Sequence, residues 1–395
     1  MSFKRLHFNK LKNRLEETRV SIQTIVGPRQ IGKTTLVNQL LDSMSCPTYY
    51  VSADAVDASN SGWVSQQWEM VRLKLKASKA KEFVFALDEI QKIENWGELV
   101  KAEWDKDSRT KTNIKVILLG SSRLLLQKGF TESLAGRYEL TYMGHWTLSE
   151  MQEMFGFSAE QYAWFGGYPG SSHLLKDENR WKEYITNSLI EATISKDILM
   201  LSQVNKPALL KRLFELGCIY SSQILSFNKI LGQLHDAGNT TTLSHYLELL
   251  DTAGMLAGLK NFNNKEYRKR SSSPKFQVYN TALISSYMHE TFDEIKMNPA
   301  KWGRIVESVV GAHLVNYSRS ERLEVYYWRH RNDEIDFVLK HKGKTIGLEI
   351  KGGFSQKATG MEAFRKKYNP DKVLLIGDSG LPWQEFLKFN PVELF

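Results

Sequence analysis

A nine-residue stretch near the amino terminus has the residue types and spacing of a phosphate-binding loop. Residues Gly27–Thr35 read G-P-R-Q-I-G-K-T-T and match the pattern G-x-x-x-x-G-K-T. The glycines let the backbone bend until successive N–H groups face the phosphates, and the N-terminus of the following helix adds positive charge. Lys33 can then reach the β- and γ-phosphates, and the Thr34 hydroxyl can ligate Mg²⁺. The stretch therefore predicts that the chain binds ATP with Mg²⁺.

The segments on either side of the loop favour the same interpretation. Ser21–Val26 is typical of a short buried strand, and Thr35–Leu41 has the apolar spacing of a helix. Strand, glycine loop and helix are the context that the motif requires. The alternative is a glycine-rich turn before an ordinary helix. The expected nucleotide-binding residues are Gly27, Gln30, Gly32, Lys33, Thr34, Thr35 and Ser121.

A second apolar run, Glu82–Leu87, ends in the carboxylates Asp88 and Glu89. A strand buried on both faces is continuously apolar, and an open α/β sheet binds its ligand at the carboxyl ends of its strands. We expect Asp88 to hold Mg²⁺ together with Thr34, and Glu89 to orient and activate the attacking water. The alternative is an acidic helix N-terminus after a core strand.

Two later segments contain further groups suited to phosphate chemistry. A third buried strand, Ile114–Leu119, leads into Gly120-Ser121-Ser122, and Ser121 there could sense the γ-phosphate. Capping of the next helix is the alternative for both serines. Arg137 precedes another β-rich run and could stabilise phosphoryl transfer, either within the chain or in a neighbouring subunit. A surface role is the alternative for Arg137.

The last third of the chain contains a second group of chemically competent residues. Glu307 lies in an amphipathic helix, Asp336 in a strand, and Glu349 and Lys351 in the next strand. If the hairpin turn centres on Lys342-Gly343, Asp336 falls opposite Glu349. Three carboxylates could then hold one or two Mg²⁺ ions, and Lys351 could position or help to deprotonate a water. Salt bridges without a metal, or a fold used only for binding, are the alternatives.

The middle of the chain has the pattern of a winged helix-turn-helix. Two helical stretches, Ser222–Leu234 and Thr241–Leu250, are joined through Gly238-Asn239 and followed by a strand. The second helix could enter a major groove and a basic wing could contact phosphates. The residues expected to face bases are Thr242, Ser244 and His245, and those of the wing are Lys265, Arg268, Lys269 and Arg270. A packing module with a solvated basic loop is the alternative.

Composition limits the classes of protein to which the chain can belong. Its 395 residues suit two or three domains, and an apolar fraction of 42% is ordinary for a globular protein. The net charge of +9 permits a nucleic-acid partner without requiring one. Two lone cysteines, Cys46 and Cys218, suit a reducing cytoplasm. We expect no membrane partner, because no apolar run is long enough to span a bilayer and no secretory signal begins the chain.

These motifs together resemble a prokaryotic AAA+-type ATPase family whose core precedes a C-terminal domain of unknown function. The resemblance is carried by Val26–Thr35, Leu87–Gln91, Gly120–Ser122 and Ser133–Arg137. It implies an ATPase core, a helical lid, a winged helix and a nuclease-like end. Ser121 departs from this family's frequent asparagine sensor. The acidic cluster is similar to the PD-(D/E)xK nuclease core, in which Asp336 and the Glu349-x-Lys351 pair match the motif and Glu307 matches the helix acid.

The predicted fold class is α/β, with a P-loop NTPase parallel sheet core, a helical lid plus winged helix, and a PD-(D/E)xK-like domain. The expected boundaries are 1–157 for the core, 158–275 for the lid and winged helix, and 276–395 for the nuclease-like domain. The predicted function is ATP hydrolysis with Mg²⁺, coupled to action on DNA by a metal-dependent nuclease-like domain. The alternative is a regulatory ATPase switch that binds a partner without cleaving nucleic acid. The sequence leaves a homo-oligomer open.

Overall fold

The computed structural model describes residues 3–120, 133–199, 204–233, 239–263, 273–351 and 359–395. These residues form two compact units, Met1–Met143 and Gly144–Phe395. The predicted Ser121, together with the wing residues Lys265, Arg268, Lys269 and Arg270, lies outside the described residues. No helix within the described ranges combines the length and the apolar character needed to cross a bilayer.

The first unit is a parallel sheet with helices packed against it. The strands have the order β2-β3-β4-β1-β5, and every neighbouring pair runs parallel. Its elements are α1 (Phe8–Glu16), β1 (Ile22–Val26), α2 (Lys33–Asp42), β2 (Thr48–Ser52), α3 (Gly62–Ser78), β3 (Phe83–Asp88), a 3₁₀ turn (Ile90–Lys92), α4 (Trp96–Thr110), β4 (Ile114–Gly120) and β5 (Tyr138–Tyr142).

The central strands of this sheet are buried on both faces. Every residue of β1, β3 and β4 is buried, which explains their near-continuous apolar sequences. Trp68 of α3 packs edge-on against Phe85 of β3, with 5.4 Å between ring centroids, and anchors one helical layer. Because all five strands are parallel, their carboxyl ends share one edge of the sheet. The predicted α/β class with a parallel sheet core is thus confirmed.

The second unit begins with a largely helical segment. Its first elements are α5 (Leu148–Phe155), α6 (Ala159–Phe165), a 3₁₀ turn (Pro169–Leu174), α7 (Glu178–Glu183) and two π-helical stretches (Tyr184–Ile190 and Thr193–Leu199). The helices that follow are α8 (Pro207–Ile219), α9 (Phe227–Gln233) and α10 (Thr240–Thr252). Polar side chains cap several of these helices: Thr147 and Glu150 form a reciprocal capping box at the start of α5.

A mixed six-stranded sheet completes the second unit, in the order β11-β10-β9-β8-β6-β7. Its elements are β6 (Leu256–Asn261), β7 (Lys275–Val278), α11 (Ala282–Ser285), α12 (Phe292–Lys296), α13 (Pro299–Ser320), β8 (Glu324–His330), β9 (Asp333–His341), β10 (Lys344–Lys351), α14 (Thr359–Tyr368), β11 (Lys372–Gly377), α15 (Trp383–Phe386) and a 3₁₀ turn (Pro391–Leu394). The boundary expected between residues 275 and 276 lies inside β7, whose partner β6 also pairs with β8.

The hairpin of β9 and β10 has the register expected from the sequence. Leu348 pairs with Phe337, so the next pair along the hairpin sets Glu349 against Asp336. Lys342 and Gly343 form the turn, both with positive φ, of 48° and 85°. Two such residues are typical of a tight turn whose twist matches that of the strands. The predicted register of this hairpin is confirmed as far as the Leu348–Phe337 pair, directly before Asp336 and Glu349.

Candidate functional site

The phosphate-loop residues connect the buried strand β1 to helix α2 at the carboxyl edge of the first sheet. Gly32 caps α2 with a left-handed φ of 87°, a conformation that glycine adopts without steric cost. Lys33 and Thr34 therefore lie in the first turn of the helix, where backbone N–H groups have no intrahelical carbonyl partner. Gln30 also has a positive φ, of 58°, and both Gln30 and Thr35 are exposed. The backbone thus has the shape of a cradle for an anion.

The Lys33 ammonium lies within the loop. Its Nζ donates to the carbonyl oxygens of Gly27 at 2.9 Å and Pro28 at 2.6 Å. The Lys33 side chain is buried, although its residue type is rarely buried without a partner. An ammonium within such a loop, at the start of a helix, suits recognition of a phosphate chain.

Two hydroxyl groups converge on one oxygen of Asp88. The Thr34 Oγ1 donates to Asp88 Oδ2 at 2.9 Å, and the Tyr50 hydroxyl donates to the same oxygen at 2.6 Å. Burial, followed by the hydrogen bond to Asp88, raises the pKa of Tyr50 above its ordinary value. Thr34 and Asp88 thus supply neighbouring oxygen ligands, the donor set that Mg²⁺ prefers. Their arrangement fits the predicted Mg²⁺ site.

Glu89 follows Asp88 in an unusual backbone conformation. Its φ is 52°, in the left-handed region that few residues other than glycine and asparagine adopt. The Glu89 amide donates to Asp88 Oδ1 at 2.9 Å, and Gln91 Nε2 donates to Glu89 Oε2 at 2.5 Å. Strained conformations of this kind concentrate at functional sites. The half-buried Glu89 carboxylate is therefore held in a defined place next to Asp88.

Arg137 lies at the opposite edge of the same sheet. It precedes β5, and Tyr138 pairs with Ile22 at the start of β1, whereas the phosphate loop follows the end of β1. A five-residue strand spans on the order of 15 Å. The Arg137 guanidinium instead binds Asp105, with Nε–Oδ1 and Nη2–Oδ2 distances of 2.9 Å and 3.1 Å. The structure does not bring Arg137 to the phosphate loop of its own chain. Of the two predicted roles of Arg137, the action on a nucleotide in a neighbouring subunit stays a prediction.

The second unit brings the predicted acidic residues together on α13, β9 and β10. Asp336 Oδ2 accepts from the Ile350 amide at 2.8 Å, which fixes this carboxylate against β10. Lys351 Nζ lies 2.7 Å from Glu349 Oε1. Burial, and then the charge of Asp336, raises the pKa of Glu349. We call the group formed by Glu307, Asp336, Glu349, Lys351 and Lys275 the acidic cluster.

Lys275, which the sequence analysis did not single out, lies inside the acidic cluster. Its Nζ is 2.7 Å from Glu307 Oε1, 3.1 Å from the Asp336 carbonyl oxygen and 3.5 Å from Asp336 Oδ1. The side chain has no exposed surface. Burial alone would lower the pKa of Lys275, but the charges of Glu307 and Asp336 raise it above its ordinary value.

The carboxylates of this cluster differ in their partners. Burial raises the pKa of Glu307, and Lys275 opposes that rise. Glu349 is 8% exposed, and its Oε2 has no hydrogen-bond partner within the described residues. Among those same residues, no group of three or more His, Cys, Asp or Glu side chains is arranged to hold a metal ion. The Lys275 ammonium lies between Glu307 and Asp336, which is a physical reason why these carboxylates do not form such a group.

The residues expected to face DNA bases lie on α10. Thr242 is engaged locally, because its amide and its Oγ1 both contact the capping residue Asn239, at 2.8 Å and 3.1 Å from Asn239 Oδ1. Ser244 and His245 are exposed on the same helix. The elements of this region have the following order in the chain: α8, an isolated β-bridge between Ile224 and Lys275, α9, α10 and the antiparallel pair β6–β7.

Three residues that contact the candidate site residues could not be predicted from the sequence: Tyr50, Gln91 and Lys275. Tyr50 belongs to the strand next to β3, and only the pairing of Ser52 with Asp88 brings it close. Gln91 lies two residues after Glu89. The sequence shows a polar residue at this position but not that its side chain turns towards Glu89. No spacing signal connects Lys275 with Glu307 and Asp336, since the contacts span 32 and 61 residues.

Comparison with protein families divides the chain into three matched regions. Residues 19–152 match a family described as an AAA domain. Residues 157–293 and 302–395 each match a family described as a domain of unknown function. The first match contains the whole phosphate loop and the Asp88-Glu89 pair.

Relatives with similar sequences extend over most of the chain. An uncharacterized protein of Mycobacterium tuberculosis is 26% identical over 345 residues, covering 84% of this chain and 70% of the relative. An uncharacterized protein of Methanocaldococcus jannaschii is 24% identical over 345 residues, covering 82% of this chain and 73% of the relative. One of Haemophilus influenzae is 23% identical over 349 residues, covering 83% of this chain and 82% of the relative.

Solved structures give weaker similarities. The RuvB Holliday junction branch migration motor of Thermotoga maritima aligns with 64% of this chain and 86% of its own, at 16% identity and a TM-score of 0.34. Rif2 of Saccharomyces cerevisiae aligns with 43% of this chain and 70% of its own, at 14% identity and a TM-score of 0.27. TM-scores this low do not establish a common arrangement of whole chains. Residues 19–152, which carry the phosphate loop and Asp88-Glu89, are therefore similar to an AAA domain.

Proposed function

We propose that the chain is a Mg²⁺-dependent ATPase whose nucleotide site is formed by the loop after β1 and the end of β3. The observation that carries this proposal is the hydrogen bond from Thr34 to Asp88, because it sets the two magnesium-ligand residues side by side next to Lys33. The match of residues 19–152 to an AAA domain supports it independently.

Each residue of the site has a defined task in this proposal. The loop amides and Lys33 bind the phosphates, and Thr34 and Asp88 hold Mg²⁺. Bound Mg²⁺ supplies charge neutralisation on the transferred phosphoryl group. Glu89 accepts a proton from the attacking water, and Gln91 fixes the direction of the Glu89 carboxylate.

Phosphate release from ATP, measured with and without Mg²⁺, tests this assignment. The Lys33→Ala variant should lose ATP binding and turnover, whereas Lys76→Ala, an exposed lysine on α3, should retain both. ATP turnover that persists in Lys33→Ala, or that does not require Mg²⁺, contradicts the proposal.

The second unit favours a further function, binding and Mg²⁺-dependent cleavage of DNA. In favour are the order α13-β8-β9-β10-α14-β11, the facing of Asp336 and Glu349, and the contact of Lys351 with Glu349. Asp336 and Glu349 would hold the metal, and Lys351 would position a water. The order α8, α9, α10, β6 and β7 supports a winged helix, with Ser244 and His245 exposed for DNA contact.

Incubation of plasmid and linear DNA with Mg²⁺, with and without ATP, tests this second function. Cleavage should disappear in Asp336→Asn and persist in Asp293→Asn, which replaces an exposed carboxylate on α12. An ATP requirement would show that the first unit controls cleavage. If DNA binds but is not cut while ATP hydrolysis is intact, the alternative holds: a nucleotide switch whose second unit binds without cleaving.

A further inference from the structure

A lysine without exposed surface needs its charge compensated by the groups around it. Lys275 meets this requirement inside the acidic cluster, at 2.7 Å from Glu307 Oε1 and 3.5 Å from Asp336 Oδ1. Its ammonium also lies 4.7 Å from the centre of the Phe337 ring. The Lys275 charge therefore occupies the space between the helix acid and the strand acid, where a bridging metal ion would otherwise compensate them.

We propose that Lys275 is a built-in cation of the acidic cluster, so that the cluster binds a single divalent metal ion, through Asp336 and Glu349 and without Glu307. The inference deepens the proposed cleavage function and rests on its placement of a metal at this cluster. It differs from the sequence-based expectation, in which all three carboxylates hold one or two ions.

The position of the single ion follows from the partners of each carboxylate. Lys275 Nζ lies 2.7 Å from Glu307 Oε1 but 3.5 Å from Asp336 Oδ1, so its ammonium engages the helix acid more closely than the strand acid. Glu349 is 8% exposed, and its Oε2 lacks a hydrogen-bond partner among the described residues, although a buried carboxylate oxygen is costly to leave unpaired. Asp336 faces Glu349 across the hairpin. Hard cations such as Mg²⁺ and Mn²⁺ bind carboxylate oxygens of this kind.

Charge balance favours one ion over two. With every group ionised, the three carboxylates of the cluster exceed its two ammonium groups, Lys275 and Lys351, by a single negative charge. The nearby Glu334 has its own partner, Arg329, with an Nε–Oε2 distance of 3.9 Å. One divalent ion leaves a single positive charge, whereas a second would leave three in a half-buried site, where like charges repel more strongly than in water.

Close packing holds Lys275 and Glu307 together. Gly311 lies one turn after Glu307 on α13, and a Cβ atom there would come within 2.0 Å of Gln277 Oε1, two residues after Lys275 on β7. The absence of a side chain at Gly311 therefore permits the close approach of helix and strand. The ion pair is built into the contact of α13 with β7 rather than formed by two free surface side chains.

Mn²⁺ binding to the full chain, without nucleotide, tests the inference. All proteins carry Asp88→Asn, so that the nucleotide site does not contribute a metal ligand. We expect one Mn²⁺ per chain, at least tenfold weaker binding in Glu349→Gln, and an affinity within about threefold of the parent in Glu307→Gln. Two ions in the parent, or equal losses in Glu307→Gln and Glu349→Gln, overturn the inference.

Lys275→Met gives a second and independent measurement. The variant preserves the length of the side chain and removes its charge, so Glu307 becomes available as a ligand. We expect Mn²⁺ to raise the melting temperature of Lys275→Met by several degrees more than that of the parent, and a second ion to bind. The same stoichiometry and the same thermal response in both proteins contradict the inference. If Lys275→Met does not fold, the glutamate variants still decide.

The outcomes separate this inference from the proposed cleavage. One Mn²⁺ held through Glu349, with no cutting of DNA, retains the inference and overturns the cleavage function. No Mn²⁺ binding to the parent overturns both. Mn²⁺-dependent cutting with two bound ions retains the cleavage function and overturns the inference.

Discussion

The Thr34 hydroxyl donates a 2.9 Å hydrogen bond to Asp88 Oδ2, joining residues 54 positions apart in the chain. The sheet order explains the contact, because β4 alone separates β1 from β3 and the carboxyl ends of all three strands share one edge. The loop after β1 therefore meets the acidic end of β3. The proposed nucleotide site depends on this contact between the loop and the end of β3.

We expect Tyr50 to compete with a bound Mg²⁺ ion for Asp88. Its hydroxyl donates to Asp88 Oδ2 at 2.6 Å, the oxygen that Thr34 also contacts. Tyr50→Phe removes that donor, and a hydrogen bond to a charged group contributes about 1.5–3 kcal/mol. We therefore expect the Mg²⁺ concentration that half-saturates ATP hydrolysis to fall about tenfold or more.

Tyr49→Phe is the matched control for this prediction. Tyr49 precedes Tyr50 in β2, but its hydroxyl donates to Gln67 of α3 rather than to Asp88. Its Mg²⁺ dependence should equal that of the unmodified protein. A higher Mg²⁺ requirement in Tyr50→Phe would mean that Tyr50 positions Asp88 for metal binding instead of competing for it.

Gln91 holds the carboxylate that we assign as the general base. Its Nε2 lies 2.5 Å from Glu89 Oε2. Gln91→Ala should lower kcat for ATP about tenfold or more, because the Glu89 carboxylate loses a fixed direction, while KM changes little. Gln66→Ala, on the exposed face of α3, is the control. An unchanged kcat in Gln91→Ala would remove Gln91 from the site.

Two glycines of α13 should respond in opposite directions to alanine. At Gly311 a Cβ would lie 2.0 Å from Gln277 Oε1, and forced overpacking costs about 1–3 kcal/mol of stability. At Gly303 a Cβ meets no atom within 4 Å, and alanine in a helix is favoured over glycine by about 0.5–1 kcal/mol. Thermal unfolding should show Gly311→Ala less stable and Gly303→Ala more stable than the parent. The same sign for both contradicts the packing described here.

His313 should make the stability of the second unit depend on pH. Burial lowers the pKa of His313 to about 4, while its Nε2 contacts the Phe389 carbonyl oxygen at 2.9 Å. The folded pKa lies below the unfolded value of about 6.5. The stability that neutral His313 contributes is therefore fully present above pH 6.5. It is lost as the pH falls from about 6.5 to about 4, up to an order of 3 kcal/mol.

Urea unfolding between pH 7.5 and pH 4.5 measures this dependence. The unmodified protein should lose more stability across the range than His313→Gln, which keeps a donor for Phe389 but cannot gain a proton. His330→Gln, at an exposed position, should behave as the unmodified protein does. Equal losses in all three proteins would show that His313 does not carry the effect.

The sequence could predict those parts of the site whose residues lie close together in the chain. The phosphate loop and Asp88-Glu89 each lie in a few consecutive residues between a strand and a helix. The facing of Asp336 and Glu349 followed from one turn at Lys342-Gly343, because a hairpin transmits its register residue by residue. Local patterns of this kind need no knowledge of the rest of the fold.

The contacts that escaped prediction depend on which strands become neighbours. Tyr50 reaches Asp88 only because β2 pairs with β3, and Lys275 reaches Glu307 only because β7 and α13 pack closely. The place of Arg137 likewise follows from the parallel pairing of β5 with β1, which sets it at the amino edge of the sheet. No spacing rule within the sequence carries this information.

ATP binding and ATP turnover, measured side by side in Glu89→Gln, test the central claim most directly. We expect Glu89→Gln to bind ATP within about threefold of the parent and to hydrolyse it at least 100-fold more slowly, because the amide cannot accept the proton of the attacking water. Glu94→Gln, an exposed glutamate shortly after β3, should hydrolyse ATP normally. Turnover by Glu89→Gln at the parent rate would contradict the assignment of Glu89 as general base and, with it, the proposed mechanism.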